Sequence, residues 1–231
     1  MEKKNKFSIF RKTNTFAIFD NIVDDYNDKS ILDFGGNRGN LISSAEGKIL
    51  PKNYTSLDVS QEALDLCNEE NPGVTTIHWN KYHRDYNPHG TNARFPKLRK
   101  YDIGFANSVF THMKIDEALF CIEKLYKSCS DLYFTYIDPS NHDFLKKFNE
   151  KYYELQFDDF QVSYTEANGM FWSAFNTEHF IDRIKANCQN RFKLDISVGT
   201  TEFNFNWIKI KANVTPILTP ILLEINPAIG Y

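Results

Sequence analysis

Ile31-Leu32-Asp33-Phe34-Gly35-Gly36-Asn37-Arg38-Gly39-Asn40 decides how this chain is read. An apolar run carrying one acid breaks into a glycine-rich turn. Glycine is used where the backbone takes positive φ or where a ligand must approach without a Cβ in the way. Such a turn feeds a helix whose first N–H groups lack partners, so the segment predicts strand, ligand-binding turn and helix in succession. A second short strand, Tyr54-Thr55-Ser56-Leu57-Asp58, also ends in an acid. Asp58 follows Gly39 at close to the ~20-residue offset at which a carboxylate takes ribose hydroxyls in nucleotide-binding α/β domains. Together the two segments point to an adenosine cofactor.

Glycine spacing narrows the choice of cofactor. A dinucleotide fingerprint G-x-G-x-x-G laid on Gly35 requires glycine at 37 and 40, where the chain has Asn37 and Asn40. The pattern acid-x-G-x-G-x-G laid on Asp33 finds Gly35 and Gly39, with Asn37 between them as a non-glycine type that tolerates left-handed backbone. This second pattern resembles motif I of the class I S-adenosylmethionine-dependent methyltransferases, and the resemblance runs over roughly residues 30 to 211. It implies an α/β, Rossmann-like sheet of about seven strands, with helices on both faces and the last two strands forming a hairpin.

The resemblance also assigns roles. The glycine turn wraps the methionine and ribose part of the cofactor and Asp58 binds the ribose diol. Tyr101-Asp102-Ile103-Gly104-Phe105-Ala106-Asn107 is similar to the family's fourth strand, and Ser108-Val109-Phe110-Thr111-His112 to the stretch bordering the methyl group. The candidate cofactor contacts are Asp33, Gly35, Gly36, Asn37, Gly39, Asp58, Val59, Asn80, Lys81 and Asn107. Two of them depart from the family: Asn37 replaces a usual glycine, and Asn80 stands where many members have an acid that contacts the adenine amino group. The carbonyl oxygen of Asn80 can still accept that hydrogen bond. A valine at 39 is expected to abolish cofactor binding while leaving the fold largely intact.

Along the chain, strands alternate with helices as in a parallel sheet. Residues 14–27 form an entry helix with Phe16, Phe19 and Val23 at helical spacing, and a short helix follows the first strand because Gly47 and Pro51 interrupt it. Ser60 is a natural N-cap for the helix after Asp58. The third strand is Val74–Trp79, and the fourth starts near Asp102. Ile115, Leu119, Ile122 and Leu125 place an amphipathic helix over 114–128, and Leu132–Ile137 is the fifth strand. Lys193–Ser197, followed by Phe203, Phe205 and Trp207 in alternation, fits the hairpin. The expected organisation is one domain over 1–231: a helical cap at 1–29, the core at 30–211 and an apolar arm at 212–231.

Two insertions interrupt the core, and loops are where function collects. Residues 80–100 carry Tyr82, His83, Arg84, Tyr86, Asn87, Pro88, His89 and Gly90 without apolar periodicity and are read as a lid. Residues 139–175 hold an amphipathic helix with Phe144, Phe148, Tyr152 and Leu155, then Tyr164, Met170, Phe171, Trp172 and Phe175. In the family, the segment after the fifth strand covers the acceptor pocket. The candidate substrate contacts are Tyr82, His83, Phe110, Asp138, Phe171 and Trp172. His112, beside the methyl position, is the first candidate base for a hydroxyl or ammonium proton, and a backbone-bonded helix-start histidine is the alternative. His83 is the second candidate base, and His89 and Asp138 are further ones.

Bulk properties exclude several classes. The 231 residues carry a formal charge of −3, so there is no global footprint for nucleic acid, and Lys97, Arg99 and Lys100 are read as a solvated loop. Cys67, Cys121, Cys129 and Cys188 show no C-x-x-C and read as core thiols, so no metal is expected. No segment approaches the ~18 consecutive apolar residues of a membrane span, and the cytoplasm is the default location. The arm Val214–Leu223 either packs on its own subunit or is swapped onto a partner in a homodimer. These readings converge on methyl transfer from S-adenosylmethionine to an oxygen or nitrogen of a small metabolite by in-line displacement, leaving S-adenosylhomocysteine. The competing readings are a catalytically silent module binding the same cofactor, a nicotinamide-dependent oxidoreductase and a methyltransferase acting on macromolecules.

Overall fold

The computed structural model describes residues 13–139, 152–157, 161–166, 171–188, 193–200 and 206–213. All four residues of strand β1 (Ile31–Phe34) are buried, so it needs strands on both sides and helices on both faces. It pairs in parallel with β2 (Tyr54–Asp58) on one side and with β6 (Tyr101–Ala106) on the other. Strand β3 (Thr75–His78) continues beyond β2, and β7 (Cys129–Tyr136) continues beyond β6, both in parallel. The hairpin of β11 (Lys193–Thr200) and β12 (Asn206–Asn213) joins β7 through β12 in antiparallel fashion. The resulting seven-stranded order is β11-β12-β7-β6-β1-β2-β3.

Side chains alternate across this sheet and build two cores. Leu32, Phe34, Leu57, Phe134 and Ile208 face helices α4 (Ile115–Tyr126) and α5 (Thr177–Cys188), which contribute Ile122, Leu125, Phe180 and Ile184. Ile31, Tyr54, Phe105 and Tyr133 face the opposite layer. There they meet Phe16 and Phe19 of α1 (Phe16–Phe19), Leu41 and Ile42 of α2 (Asn40–Ser44), and Cys67 of α3 (Gln61–Glu70). Ser60 caps α3 as read from the sequence, its hydroxyl accepting from Ala63 N at 3.2 Å.

Several elements differ from their sequence reading. The entry helix expected over 14–27 is confined to Phe16–Phe19, although Phe16, Phe19 and Val23 are all buried. Asp and Asn side chains compete for the backbone beyond it: Asp25 accepts from Asn27 N, and Asp28 takes φ 53°. The insertion at 80–100 contains a hairpin of β4 (Lys81–His83) and β5 (Asn87–Asn92), and Phe95 and Leu98 beyond it pack on the core. In the second insertion the expected helix gives way to strand at Tyr152 and Leu155: β8 (Tyr152–Phe157), β9 (Gln161–Glu166) and β10 (Phe171–Phe175) form an antiparallel sheet. Phe144, Phe148, Met170, Phe203, Phe205 and the arm at 214–231 lie outside the described residues.

The turn after β1 explains its glycines. Gly35 at φ +70° and Gly39 at φ +80° occupy the left-handed region, and a Cβ on Gly35 would collide with Val109. A Cβ on Gly39 would lie 2.8 Å from both Cys67 Sγ and Asn71 Nδ2. Gly39 therefore faces α3 and its C-cap, so a valine there attacks the fold itself, contrary to the sequence reading. The left-handed backbone alone costs a non-glycine residue about 1–2 kcal/mol. Gly39→Val is expected to lower the thermal midpoint by several degrees without any ligand present, measured by calorimetry; an unchanged midpoint contradicts this packing.

Candidate active site

The sheet grows in opposite directions from the boundary between β1 and β6, and ligands of such sheets bind outside the carboxyl ends of the strands at that point. The ends of β1, β2 and β6, together with the β4–β5 flap, line a cavity of about 700 Å³. That lies within the ~300–1,000 Å³ of small-molecule sites.

Asp58 forms one wall. Its Oδ2 accepts from Asn37 N at 2.9 Å and its Oδ1 from Ser60 N at 2.8 Å, and Asn37 itself takes the left-handed φ of 51°. Burial raises the Asp58 pKa, and the backbone N–H groups of Ser60, Asn37 and Val59 oppose the rise. Each carboxylate oxygen has further acceptor capacity, enough for a vicinal diol. Gly35, Gly36, Asn37 and Val59 line the same cavity.

Asp33 is also on the lining, yet it is only 3 % exposed. Its carboxyl accepts the hydroxyl of Tyr54 from the neighbouring strand. Burial pushes its pKa up to about 7; the Tyr54 hydrogen bond opposes the rise and the nearby Asp58 adds to it.

The opposite wall carries the histidines. Ser108 takes φ 56° after β6, its N–H donating to Thr135 Oγ1 at 2.7 Å, and this sharp exit turns the chain into the 3-10 turn Phe110–His112. Asn107 lines the cavity and its Oδ1 accepts from Thr135 Oγ1 at 3.0 Å. The His112 ring is half-buried and stands edge-on to Tyr86 at 6.0 Å, and Tyr86 lies 4.8 Å from His83. Lys81 reaches from the flap to Glu117 of α4 as an ion pair and sits 5.0 Å over the Trp79 ring; burial lowers its pKa. Tyr82 stands at the mouth, 56 % exposed.

Other candidates fall elsewhere. Asn80 is exposed and off the lining, and its Oδ1 accepts from Asn87 Nδ2 at 3.1 Å. Phe110 is fully buried against Phe134 and Phe34, which makes it core and not a substrate contact. Asp138 is off the cavity lining and accepts from Thr177 N at 2.9 Å, tying the start of α5 to the end of β7. His89 is exposed and off the lining. Phe171 and Trp172 lie on β10, and their side chains fall outside the described residues. The sequence reading missed Tyr54 and Glu117, and also Thr13, Asn14 and Ile18, which line the cavity from the entry segment. A tyrosine in β2, the strand expected beside β1, was the only available signal for the first of these. Among the described residues, no group of three His, Cys, Asp or Glu could hold a metal ion. Nor is any described helix long and apolar enough to cross a membrane.

The raised pKa of Asp33 has a defined sign. An acid whose folded pKa exceeds its unfolded value of about 3.9 contributes stability that is complete below that value and is lost as pH rises through about 7. Asp33→Asn keeps an oxygen for Tyr54 but cannot ionise. The mutant's thermal midpoint relative to wild type should therefore rise between about pH 5 and pH 8. A difference that stays flat across this range, or falls, overturns the assignment.

No family model matches the chain, and no curated protein matches it in sequence. Solved structures do resemble it. An S-adenosylmethionine dependent methyltransferase from Mesorhizobium loti superposes with a TM-score of 0.56 at 10 % identity, covering 86 % of this chain and 98 % of that one. DesVI of Streptomyces venezuelae gives 0.54 at 11 % identity, covering 88 % and 94 %. Magnesium protoporphyrin IX methyltransferase (ChlM) from Synechocystis PCC 6803, solved with bound SAH, gives 0.51 at 14 % identity, covering 86 % and 79 %. At these identities the likeness carries architecture, and the fold of this chain is that of the class I S-adenosylmethionine-dependent methyltransferases.

Proposed function

We propose that the chain is a methyltransferase using S-adenosylmethionine to methylate an oxygen or nitrogen of a small molecule. One observation carries the reading: Asp58, an acceptor suited to a ribose diol, and His112, a group able to take a proton, line one cavity of about 700 Å³. The residues present fit the cofactor. Asp58 would hold the ribose, and Gly35, Gly36 and Asn37 would follow the chain of atoms leading to the sulfur. Leu57, Val59 and Trp79 give apolar wall for the base. The bound cofactor supplies a methyl group already activated on a sulfonium.

The remaining work falls to the protein. Holding the acceptor in line can supply roughly 7–11 kcal/mol of the barrier through effective molarity. Tyr82, Tyr86 and Met113 keep water from the reacting side. The His112 backbone N–H donates to Val109 O at 3.0 Å, which fixes the residue at the end of its turn, and its ring would take the acceptor's proton. The turn's pattern, with Asn37 and Asn40 where a pyrophosphate loop needs glycine, argues against a nicotinamide cofactor. The formal charge of −3 argues against nucleic acid as the acceptor.

Two measurements test this. Calorimetric titration with S-adenosylmethionine and S-adenosylhomocysteine should give saturable binding that Asp58→Ala weakens by roughly 1–3 kcal/mol. Absence of binding to the wild type, or an unaltered affinity in the mutant, defeats the assignment. Transfer of a tritiated methyl group to pooled small metabolites should fall ~100-fold in His112→Gln with cofactor affinity kept. Parallel losses of cofactor affinity and stability would make His112 a structural residue.

A further inference from the structure

His83 lies on β4, on the cavity lining, and the backbone N–H groups of Asp85 and Tyr86 both donate to its Nδ1, each at 3.3 Å. A ring nitrogen that accepts from two donors keeps its lone pair, so the single imidazole proton resides on Nε2. Burial, reinforced by His112 and Lys81 and opposed by Asp85, pushes the His83 pKa down to about 4, so the ring stays neutral across the ordinary pH range. This removes His83 from the list of candidate bases, since the nitrogen able to take a proton is already engaged. Nε2 has no hydrogen-bond partner among the described residues. The Tyr86 ring neighbours both His83 and His112, with centroid distances of 4.8 and 6.0 Å.

We propose that His83 determines specificity in the acceptor pocket: its Nε2–H donates to a carboxylate or carbonyl oxygen on a planar, aromatic methyl acceptor that lies against Tyr86. The proposal rests on the methyl-transfer reading and narrows its substrate class. An ammonium group would meet this N–H donor to donor and would leave it unpaired in a partly buried site, which is how polar pockets reject analogues. The acceptor's oxygen would then sit at His83 and its reacting atom near His112, with Tyr86 adjoining both rings. That divides recognition and proton removal between the two histidines.

The test uses the full chain, ¹⁵N-labelled, with and without S-adenosylhomocysteine, and reads the imidazole resonances. His83 should appear as the Nε2–H tautomer, with no titration from about pH 5.5 to 8. Benzoate and benzamide should shift its Nε2–H signal saturably and benzylamine should not; a response to benzoate alone assigns the carboxylate, and a response to both assigns the oxygen acceptor generally. His83→Asn retains a carbonyl oxygen for the N–H groups of Asp85 and Tyr86 but has no atom at the Nε2 position. It should keep S-adenosylhomocysteine affinity within about twofold and weaken the responsive probes about tenfold. An Nδ1–H tautomer, an equal response to benzylamine, silence toward both oxygen probes, or unchanged probe affinity in His83→Asn overturns the proposal. If the wild type fails to bind S-adenosylhomocysteine while the oxygen probes still shift His83, the donor pocket stands and the methyl-transfer reading falls.

Discussion

Taking the Asp58 carboxylate out of water and securing it with backbone N–H groups is the constraint on which the site depends. The bond to Asn37 N ties the turn after β1 to the end of β2, and the bond to Ser60 N ties the same carboxylate to the start of α3. Gly35 N adds a third tie, to Leu57 O at 2.7 Å. These bonds accompany a turn of defined conformation: Asn37 is left-handed, and Gly35 must lack a side chain for the turn to pass Val109. The desolvation cost of an acid at this depth is offset in part by charge-assisted hydrogen bonds, which are stronger than neutral ones, and the Asp58 pKa stays raised. The outcome is a wall whose polar groups are held in place by the fold's own hydrogen bonds.

The two acids near that wall have different partners and different electrostatic consequences. Asp58 faces backbone donors, whereas Asp33 faces one phenol and another acid. The far wall leans the other way, with Lys81 paired to Glu117 and His83 held neutral. The flap is thus joined to α4 by an ion pair, and beside it the Trp79 indole Nε1–H donates to Ala93 O at 3.1 Å. Cavity-lining groups on the strand ends are fixed by the sheet, while those on the flap depend on a hairpin with few buried side chains. Local opening free energies follow such differences in burial, so the flap is the part of the lining best suited to admit and release ligands.

The parts legible in the sequence were those with local causes. The strand, glycine turn and short helix around 31–44, the acid closing β2, the Ser60 cap and the periodic face of α4 all follow from residues within a turn or two of one another. The misreadings involve turns and pairings that hydrophobic periodicity does not announce. Asn80 lies off the cavity lining, where hairpin formation brings Asn87 to its oxygen. Asp138 is engaged by Thr177, and Phe110 is turned into the core by a 3-10 turn that no periodicity announces. Tyr152 and Leu155 fit a helical spacing by chance, while pairing with β9 makes them strand. The Tyr54–Asp33 contact runs across two strands, and only their pairing reveals it.

The position of β12 bears on how the molecule is made. It is the last described strand in sequence order, yet it lies inside the sheet, between β7 and β11. During synthesis the segment ending in β7 therefore emerges with an open edge, and Leu132, Phe134 and Tyr136 in that strand lack one neighbour until residues 206–213 follow. β11 cannot fill the gap, because it is joined to the sheet only through β12. Pairings of such long sequence separation carry a large loop-closure cost and form slowly. A nascent chain halted between these strands presents an unpaired, apolar sheet edge, the kind of surface that chaperones bind and that aggregation exploits.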